Sequence, residues 1–425
     1  MSLKREGLKY AKHPGKILPR FRDKVLGFLS FFLARAWVRL KGRNALRNGR
    51  RIFLFGAFGG RRYDDNSAAL FENMVQNHPE IDSYWVIRKD AFFGKVPERP
   101  LPDRSRVVFK NTFRGNVLAL IAYVFVYSHG RYDITDYPKR DTPETFCVML
   151  DHGFTALKKT SMAAQPSGEK VWTPALELDL IAAGSESEAR IHREEWGIPA
   201  EKIAVTGLAR YDRLLSLERA RLTPPRKILY MPTWREWNSR RLSLSGTEFF
   251  RQARAFIADR AMNEVLSRSG YTLQVYVHLW MREFFQDLRK NFSLENVEIL
   301  DQEADLQKVL TASALLVTDY SSICWDFLFL DRPVLFYQFD RDEYLEKTGS
   351  YIDLRKDLFG PVALTAEEAS AWVRAFIEEG FSAASFRSRM EEMKTFAFAY
   401  RDGNNCQRLA REILSRQKAF QDGIS

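Results

Sequence analysis

Two histidines stand where apolar runs end. Phe146-Cys147-Val148-Met149-Leu150-Asp151 runs into His152, with Gly153 next and Lys158-Lys159 close behind. Thr272-Leu273-Gln274-Val275-Tyr276-Val277 runs into His278. An imidazole changes charge near neutral pH, so a histidine at a strand end beside lysines can act as a base next to an anionic substrate. A third strand end carries hydroxyls: Ala314-Leu315-Leu316-Val317 leads into Thr318-Asp319-Tyr320-Ser321-Ser322. Helix N–H groups plus two serine hydroxyls suit a phosphate or diphosphate, or else they form an ordinary helix cap. Arg235, four residues after the apolar run Ile228–Met231, offers a guanidinium of fixed geometry to a phosphate, or a structural ion pair. Arg61-Arg62 follow the run Ile52–Phe55 and the loop Gly56-Ala57-Phe58-Gly59-Gly60. That loop has neither GxGxxG nor P-loop spacing.

These residues need a scaffold that presents strand ends. Short apolar runs alternate with helical patterns along the chain, which is the rhythm of a doubly wound α/β domain, and ligands there bind at the carboxyl ends of the strands. Tyr84–Ile87, Val107–Phe109, Asp179–Ser185, Ile203–Gly207, Val297–Leu300 and Val334–Tyr337 are further expected strands. Helices are expected over Ser67–Asn77, Glu186–Trp196, Phe249–Ser267, Asp305–Ala312, Cys324–Leu330, Ala366–Glu379 and Ala410–Phe420. Val117–Val126 fits helix and strand equally. Pro224-Pro225, inside the basic stretch Arg219–Arg226, marks a linker.

A chain of 425 residues with 45% apolar and 13% aromatic content can build two or three globular domains. The net charge of +11 points to an anionic partner: a nucleic acid, an anionic membrane or a phosphate polymer. Cys147, Cys324 and Cys406 are an odd number in or beside apolar segments, which favours reduced buried thiols. The six histidines show no metal-ligand spacing, so no metal is expected. In Ile17–Leu40, Phe21, Val25, Leu26, Phe28, Leu29, Phe31, Phe32, Leu33, Trp37 and Val38 are flanked by Arg20, Arg22, Lys24, Arg35, Arg39 and Lys41. The uncharged centre, Val25–Ala34, falls short of the roughly 20 residues that span a bilayer. It reads as a basic amphipathic helix on the inner membrane surface, or as a helix packed on the protein body or in an oligomer.

The ordered words of the chain resemble the CDP-glycerol glycerophosphotransferase family. They are Thr318-Asp319-Tyr320-Ser321-Ser322, Asp326, Arg332-Pro333-Val334-Leu335-Phe336-Tyr337 and Asp340-Arg341-Asp342-Glu343-Tyr344. Gly207, Arg210 and Asp212, the run Tyr230-Met231-Pro232-Thr233-Trp234-Arg235, and Arg401-Asp402-Gly403 with Arg408 extend the likeness. His152, Gly153, Leu157 and Lys158 resemble the family's His-Gly-Thr-Pro-Leu-Lys run, with Phe154-Thr155-Ala156 in place of Thr-Pro. His278 resembles a second essential histidine, with Leu279 where proline is usual.

The resemblance implies a GT-B-like α/β fold: two Rossmann-like domains facing a cleft, with an N-terminal amphipathic helical segment. The expected divisions are 1–51 for that segment, 52–218 for an acceptor domain, 219–400 for a CDP-donor domain, and 401–425 for a helix crossing back. It implies transfer of glycerol phosphate, or a related polyol phosphate, from a CDP-linked donor to a lipid-linked or polymeric polyol-phosphate acceptor, with release of CMP and no metal cofactor. His152 and His278 would be catalytic. Arg235, Thr318, Ser321, Ser322 and Asp326 would hold the donor; Gly59, Arg61, Arg62, Asn66, Lys158 and Lys159 the acceptor. Asp340-Arg341-Asp342 matches a family run and is read as not binding metal. The expected place is the cytoplasmic face of the membrane, without nucleic acid; a homo-oligomer is compatible. A nucleotide-sugar glycosyltransferase on the same fold is the rival enzyme reading, and a non-catalytic basic binding module the third.

Overall fold

The computed structural model describes residues 17–94, 99–137, 142–159, 177–235, 237, 246–276, 295–301 and 303–423, with the side chains of 17–24 outside that description. The chain divides into two units. The first takes in residues up to Lys95, Leu101–Met149 and Leu414–Ser425; the second takes in Val96–Pro100 and Leu150–Ile413.

In the first unit, helix α1 (Ile17–Lys41) leads to β1 (Arg51–Gly56), α2 (Asp65–Asn77), β2 (Ile81–Ile87), β3 (Val107–Phe109), α3 (Phe113–Ile121), β4 (Val124–Tyr127) and β5 (Phe146–Met149). The strands lie parallel in the order β3-β2-β1-β4-β5. Phe53, Leu54 and Phe55 are all buried, because a parallel strand covered on both faces reads as a continuous apolar run. The ambiguous run Val117–Val126 holds the end of α3 and all of β4, joined at Ala122, whose extended backbone ends the helix. On α1, Gly27, Phe31, Ala34 and Val38 are buried, a helical stripe that lies on α3. Phe31 stacks on Tyr137 at 3.5 Å, and the Tyr137 hydroxyl donates to the Gly27 carbonyl at 2.8 Å. Val25, Leu26, Phe28, Leu29, Phe32, Leu33, Trp37 and Leu40 of the same helix are exposed. No helix among the described residues is long and apolar enough to cross a membrane.

The second unit begins with β6 (Leu180–Ala183), α4 (Glu186–Glu194), β7 (Ile203–Val205), parallel to β6, and α5 (Arg210–Ala220). It continues through β8 (Lys227–Met231), α6 (Glu248–Ile257), α7 (Arg260–Ser269), β9 (Thr272–Val275), β10 (Val297–Ile299), α8 (Leu306–Ala312) and β11 (Ser313–Thr318). It closes with α9 (Ile323–Phe329), β12 (Val334–Tyr337), α10 (Arg341–Lys347), β13 (Val362–Ala363), α11 (Ala366–Glu378), α12 (Arg387–Ala397) and α13 (Asn405–Asp422). The single helix expected over Phe249–Ser267 is two helices. Asp259 interrupts it and accepts the Met262 N–H at 2.7 Å as a new N-cap.

The six strands β10-β9-β8-β11-β12-β13 form a parallel sheet. The chain builds outward from β8 through β9 and β10, then returns to place β11 on the other side of β8. The sheet's switch point therefore lies between β8 and β11, the place where ligands bind in open α/β sheets, and the Thr233 N–H on Asp319 at 2.9 Å joins the loops after the two strands. β11 is buried along its whole length, with Trp325 and Phe327 in the core on one side and Tyr230, Phe256 and Val373 on the other.

Candidate functional site

The loop after β5 is built around Asp151. It is 2% exposed and adopts φ +54°, a left-handed conformation that aspartate tolerates better than most residues. Its Oδ1 accepts the His152 backbone N–H at 2.7 Å and lies 2.9 Å from His152 Nδ1. Its Oδ2 accepts the Thr155 hydroxyl at 2.9 Å. The contact at Nδ1 places the ring proton there and leaves Nε2 as the basic nitrogen of His152. The His152 side chain is 43% exposed.

Arg210, at the start of α5, ties this loop to β11's helix. Its Nη1 donates to the His152 carbonyl at 2.8 Å, and its Nη2 pairs with Asp326 of α9. Gly153 then presses against Ser322: a β-carbon at position 153 would stand 2.6 Å from Ser322 Oγ. His152, Gly153, Phe154, Thr155, Lys158, Tyr320 and Ser322 line one pocket. Tyr320 is held by stacking on Tyr344 at 3.6 Å and by a 3.1 Å hydrogen bond from its hydroxyl to Asp340.

Of the residues expected to bind a donor, only Ser322 lines this pocket, with Ser321 half-buried beside it. Three others have partners inside the protein. Arg235 is 1% exposed; it donates to Asp340 at 2.6 and 2.9 Å and to the Thr233 carbonyl at 2.7 Å, and its Nη1 lies 2.8 Å from Asp319. A phosphate would have to displace two buried carboxylates to reach it. Thr318 is buried and donates to the Met231 carbonyl at 2.6 Å, fastening β11 to β8. Asp326 is 1% exposed and paired with Arg210; burial lifts its carboxyl to about 6 against the pull of that guanidinium. Through Arg210 it braces the loop that carries His152. His278 lies outside the described residues.

Lys158 joins His152 at the pocket, while Lys159 Nζ lies 3.4 Å from Glu195 and near the Tyr351 ring. Gly59, Arg61, Arg62 and Asn66 gather in the first unit at the end of β1. There the Gly59 N–H donates to buried Asp133 at 2.6 Å, and Arg62 sits over the Phe58 ring. Asn66 is buried, whereas Arg61 is exposed. His129, which the sequence reading passed over, accepts the Phe58 N–H at 3.4 Å in the same place.

Behind the His152 loop lies a polar cluster that no local spacing announced. Glu188 of α4 is buried and accepts the N–H groups of Thr155 and Gly184, both at 2.6 Å. His192, one turn further on, is buried with no hydrogen-bond partner at either ring nitrogen. Asp151, Glu188 and His192 bring one potential ligand atom each within 4.8 Å of one another. Two oxygens and one imidazole nitrogen could hold a small cation, but five hydrogen-bond donors already point at the two carboxylates and occupy oxygens that a cation would need. Burial and the neighbouring Asp151 raise Glu188 to about 8. Burial also raises Asp151, but the hydrogen bond and charge of His152 outweigh it and bring Asp151 to about 2. Burial pulls His192 down to about 4. The two carboxylates thus divide, with Asp151 the anion and Glu188 the neutral acid at pH 7.

Glu188 binds its proton more tightly folded than at its ordinary value of 4.5, so its contribution to stability is complete below that pH and is lost as pH rises to about 8. Glu188→Gln cannot ionise. Urea unfolding between pH 5 and 8.5 is expected to show stability falling with pH in the parent and a flatter dependence in the variant.

The model of the family described as CDP-Glycerol:Poly(glycerophosphate) glycerophosphotransferase matches residues 42–415. The minor teichoic acid biosynthesis protein GgaB of Bacillus subtilis (strain 168) is 23% identical over 372 residues, 83% of this chain and 38% of the relative. The teichoic acid poly(glycerol phosphate) polymerase of the same organism is 29% identical over 352 residues, 75% of this chain and 43% of the relative. The chain therefore spans about two fifths of the length of these two relatives. The solved structure of the wall teichoic acid polymerase TagF shares its fold, with a TM-score of 0.67 at 18% identity, covering 93% of this chain and 98% of that one. A match over nearly the whole chain, on top of two parallel α/β sheets with a pocket at strand ends, makes this protein a member of the CDP-glycerol:poly(glycerophosphate) glycerophosphotransferase family.

Proposed function

We propose that the protein transfers glycerol phosphate, or a related polyol phosphate, from a CDP-linked donor to a hydroxyl of a lipid-linked or polymeric polyol-phosphate acceptor in teichoic-acid or capsule synthesis. One observation carries the chemistry: His152 stands at a pocket with Nδ1 held by a buried carboxylate, and the opposite wall offers Ser322. Nε2 takes the proton of the acceptor hydroxyl as its oxygen attacks the β-phosphorus and CMP leaves. Phosphoryl transfer depends mainly on positioning and charge, so Ser321, Ser322, their backbone amides and Lys158 suffice to steady the diphosphate without a metal in the step. His278 is proposed to stabilise the leaving CMP. Arg61 and Arg62 are proposed to meet the anionic acceptor in the first unit.

The reading is tested by CMP release from CDP-glycerol with an oligomeric glycerol-phosphate acceptor, with CDP-ribitol and UDP-N-acetylglucosamine as rival donors. Acceptor-dependent release from CDP-glycerol that persists in EDTA and falls about 10²–10⁴-fold in His152→Ala is expected, the usual worth of a general base. No CMP from either CDP-polyol, with UDP released from the sugar nucleotide, would overturn it.

We also propose that the exposed side of α1 lies on the cytoplasmic face of the membrane. Eight large apolar side chains on that helix are open to solvent, with Arg39 and Lys41 exposed at its end. A contiguous apolar face with basic residues matches an anionic lipid surface. The protein is expected to sediment with phosphatidylglycerol vesicles and much less with phosphatidylcholine vesicles. Leu29→Glu with Leu33→Glu should weaken this by about tenfold or more, given the apolar burial each leucine loses. Equal sedimentation of parent and variant would contradict it.

A further inference from the structure

We propose that Asp151 is a positioning residue for His152: it fixes the ring's tautomer and orientation and supplies the negative charge that steadies the imidazolium formed when Nε2 takes a proton, while Thr155 and Glu188 hold Asp151 from behind. The inference rests on the reading of His152 as the base and adds to it the device that makes it one.

The geometry carries the argument. Asp151 Oδ1 engages both the backbone N–H of His152 and its Nδ1, at 2.7 and 2.9 Å, so one oxygen sets the ring's position and its protonated nitrogen together. Asp151 cannot turn away, because Oδ2 accepts the Thr155 hydroxyl at 2.9 Å and the residue is held in a left-handed backbone conformation. Thr155 in turn donates its N–H to Glu188 at 2.6 Å, and Glu188 is fastened to the Gly184 N–H at the same distance. The carbonyl side of His152 is gripped by Arg210 at 2.8 Å. The ring is thus fixed from both ends of its own residue.

The charges around this group decide which carboxylate serves. His152 lies on the loop itself; Glu188 and His192 face it from α4; Arg210 and Tyr211 come from α5, and Asp326 from α9. Arg210 is paired with Asp326, and Glu188 keeps its proton, so Asp151 is the anion against the ring. In the transfer step the acceptor's O–H bond breaks, its proton passes to Nε2, its oxygen bonds to phosphorus, and the bond to CMP breaks. Nδ1 keeps its proton throughout, and the imidazolium later returns the Nε2 proton to water. Asp151 takes no proton, in keeping with an acid held far below neutrality.

The test reads His152 directly. In full-length protein labelled at the histidine ring nitrogens, the six histidines give few signals, and His152→Gln identifies the one concerned. Asp151→Asn keeps the shape and removes the charge. It is expected to lower the His152 pKa by about 1–3 units, the usual effect of losing an adjacent opposite charge. The acid limb of kcat/KM for CMP release should move down in pH by the same amount, with kcat reduced. Thr155→Val, which only loosens Asp151, should move the titration the same way by less. A His152 titration identical to the parent in folded Asp151→Asn overturns the inference. Should that variant fail to fold, Thr155→Val decides: a lowered pKa supports it and an unchanged one overturns it. The titration needs no substrate, so failure of the proposed reaction would appear separately, as absent CMP release with the shift intact.

Discussion

Arg210 is the interaction on which the second unit's pocket depends. Two segments far apart in sequence must meet: the loop after β5 that carries His152, and the start of α9 that carries Ser322. One guanidinium spans them, donating to the His152 carbonyl and to Asp326. A buried carboxylate that loses its paired cation is left uncompensated, which typically costs several kcal/mol, so the pair and the loop position stand or fall together. The helix bearing Arg210 is itself fixed. Asp212 accepts the N–H groups of Asn405 and Cys406 at 3.0 and 2.7 Å, and Gly207 leaves no room for a side chain beside Asn405. The two outlying words of the family pattern, around Gly207 and around Asp402, meet here as a brace for the site.

Within each unit the same device secures the sheet's switch point. In the second, Asp319 after β11 accepts the Thr233 N–H after β8 at 2.9 Å, and Arg235 ties both loops to Asp340. In the first, Asp133 after β4 accepts the Gly59 N–H after β1 at 2.6 Å. A parallel sheet leaves its strand-end amides without sheet partners at such a point. A buried aspartate from the neighbouring loop satisfies one of them and sets the spacing of the crevice. Asp319, Asp326 and Asp340 of the family words thus have partners within the structure.

The division between what was legible in the sequence and what was not follows from this. Continuous apolar runs marked β1, β5, β8, β11 and β12, because strands covered on both faces leave no alternation to misread. The place of His152 beyond the end of β5 was legible for the same reason, as the first histidine after such a run. Asp259 was a missed break because one N-capping aspartate inside an otherwise helical pattern looks like a surface residue. The internal partners of Arg235, Thr318 and Asp326 were not legible, because a residue type and a strand end cannot say whether a side chain turns outward or inward. Their partners lie up to 116 residues away along the chain. Glu188 and His192 were invisible, since a polar pair spaced by one helical turn is normally a solvated face. Only the fold turns that face onto Asp151.

The proposed reaction requires the loop 151–159 and the segment 319–323 to hold the donor together. Hydrogen exchange of the His152→Ala protein with and without CDP-glycerol tests it most directly, because that variant is expected to bind the donor without consuming it. Slowed exchange is expected at both segments together, with little change at helix α11 on the other side of the sheet. Protection confined to other segments, under conditions where the parent enzyme releases CMP, would contradict it.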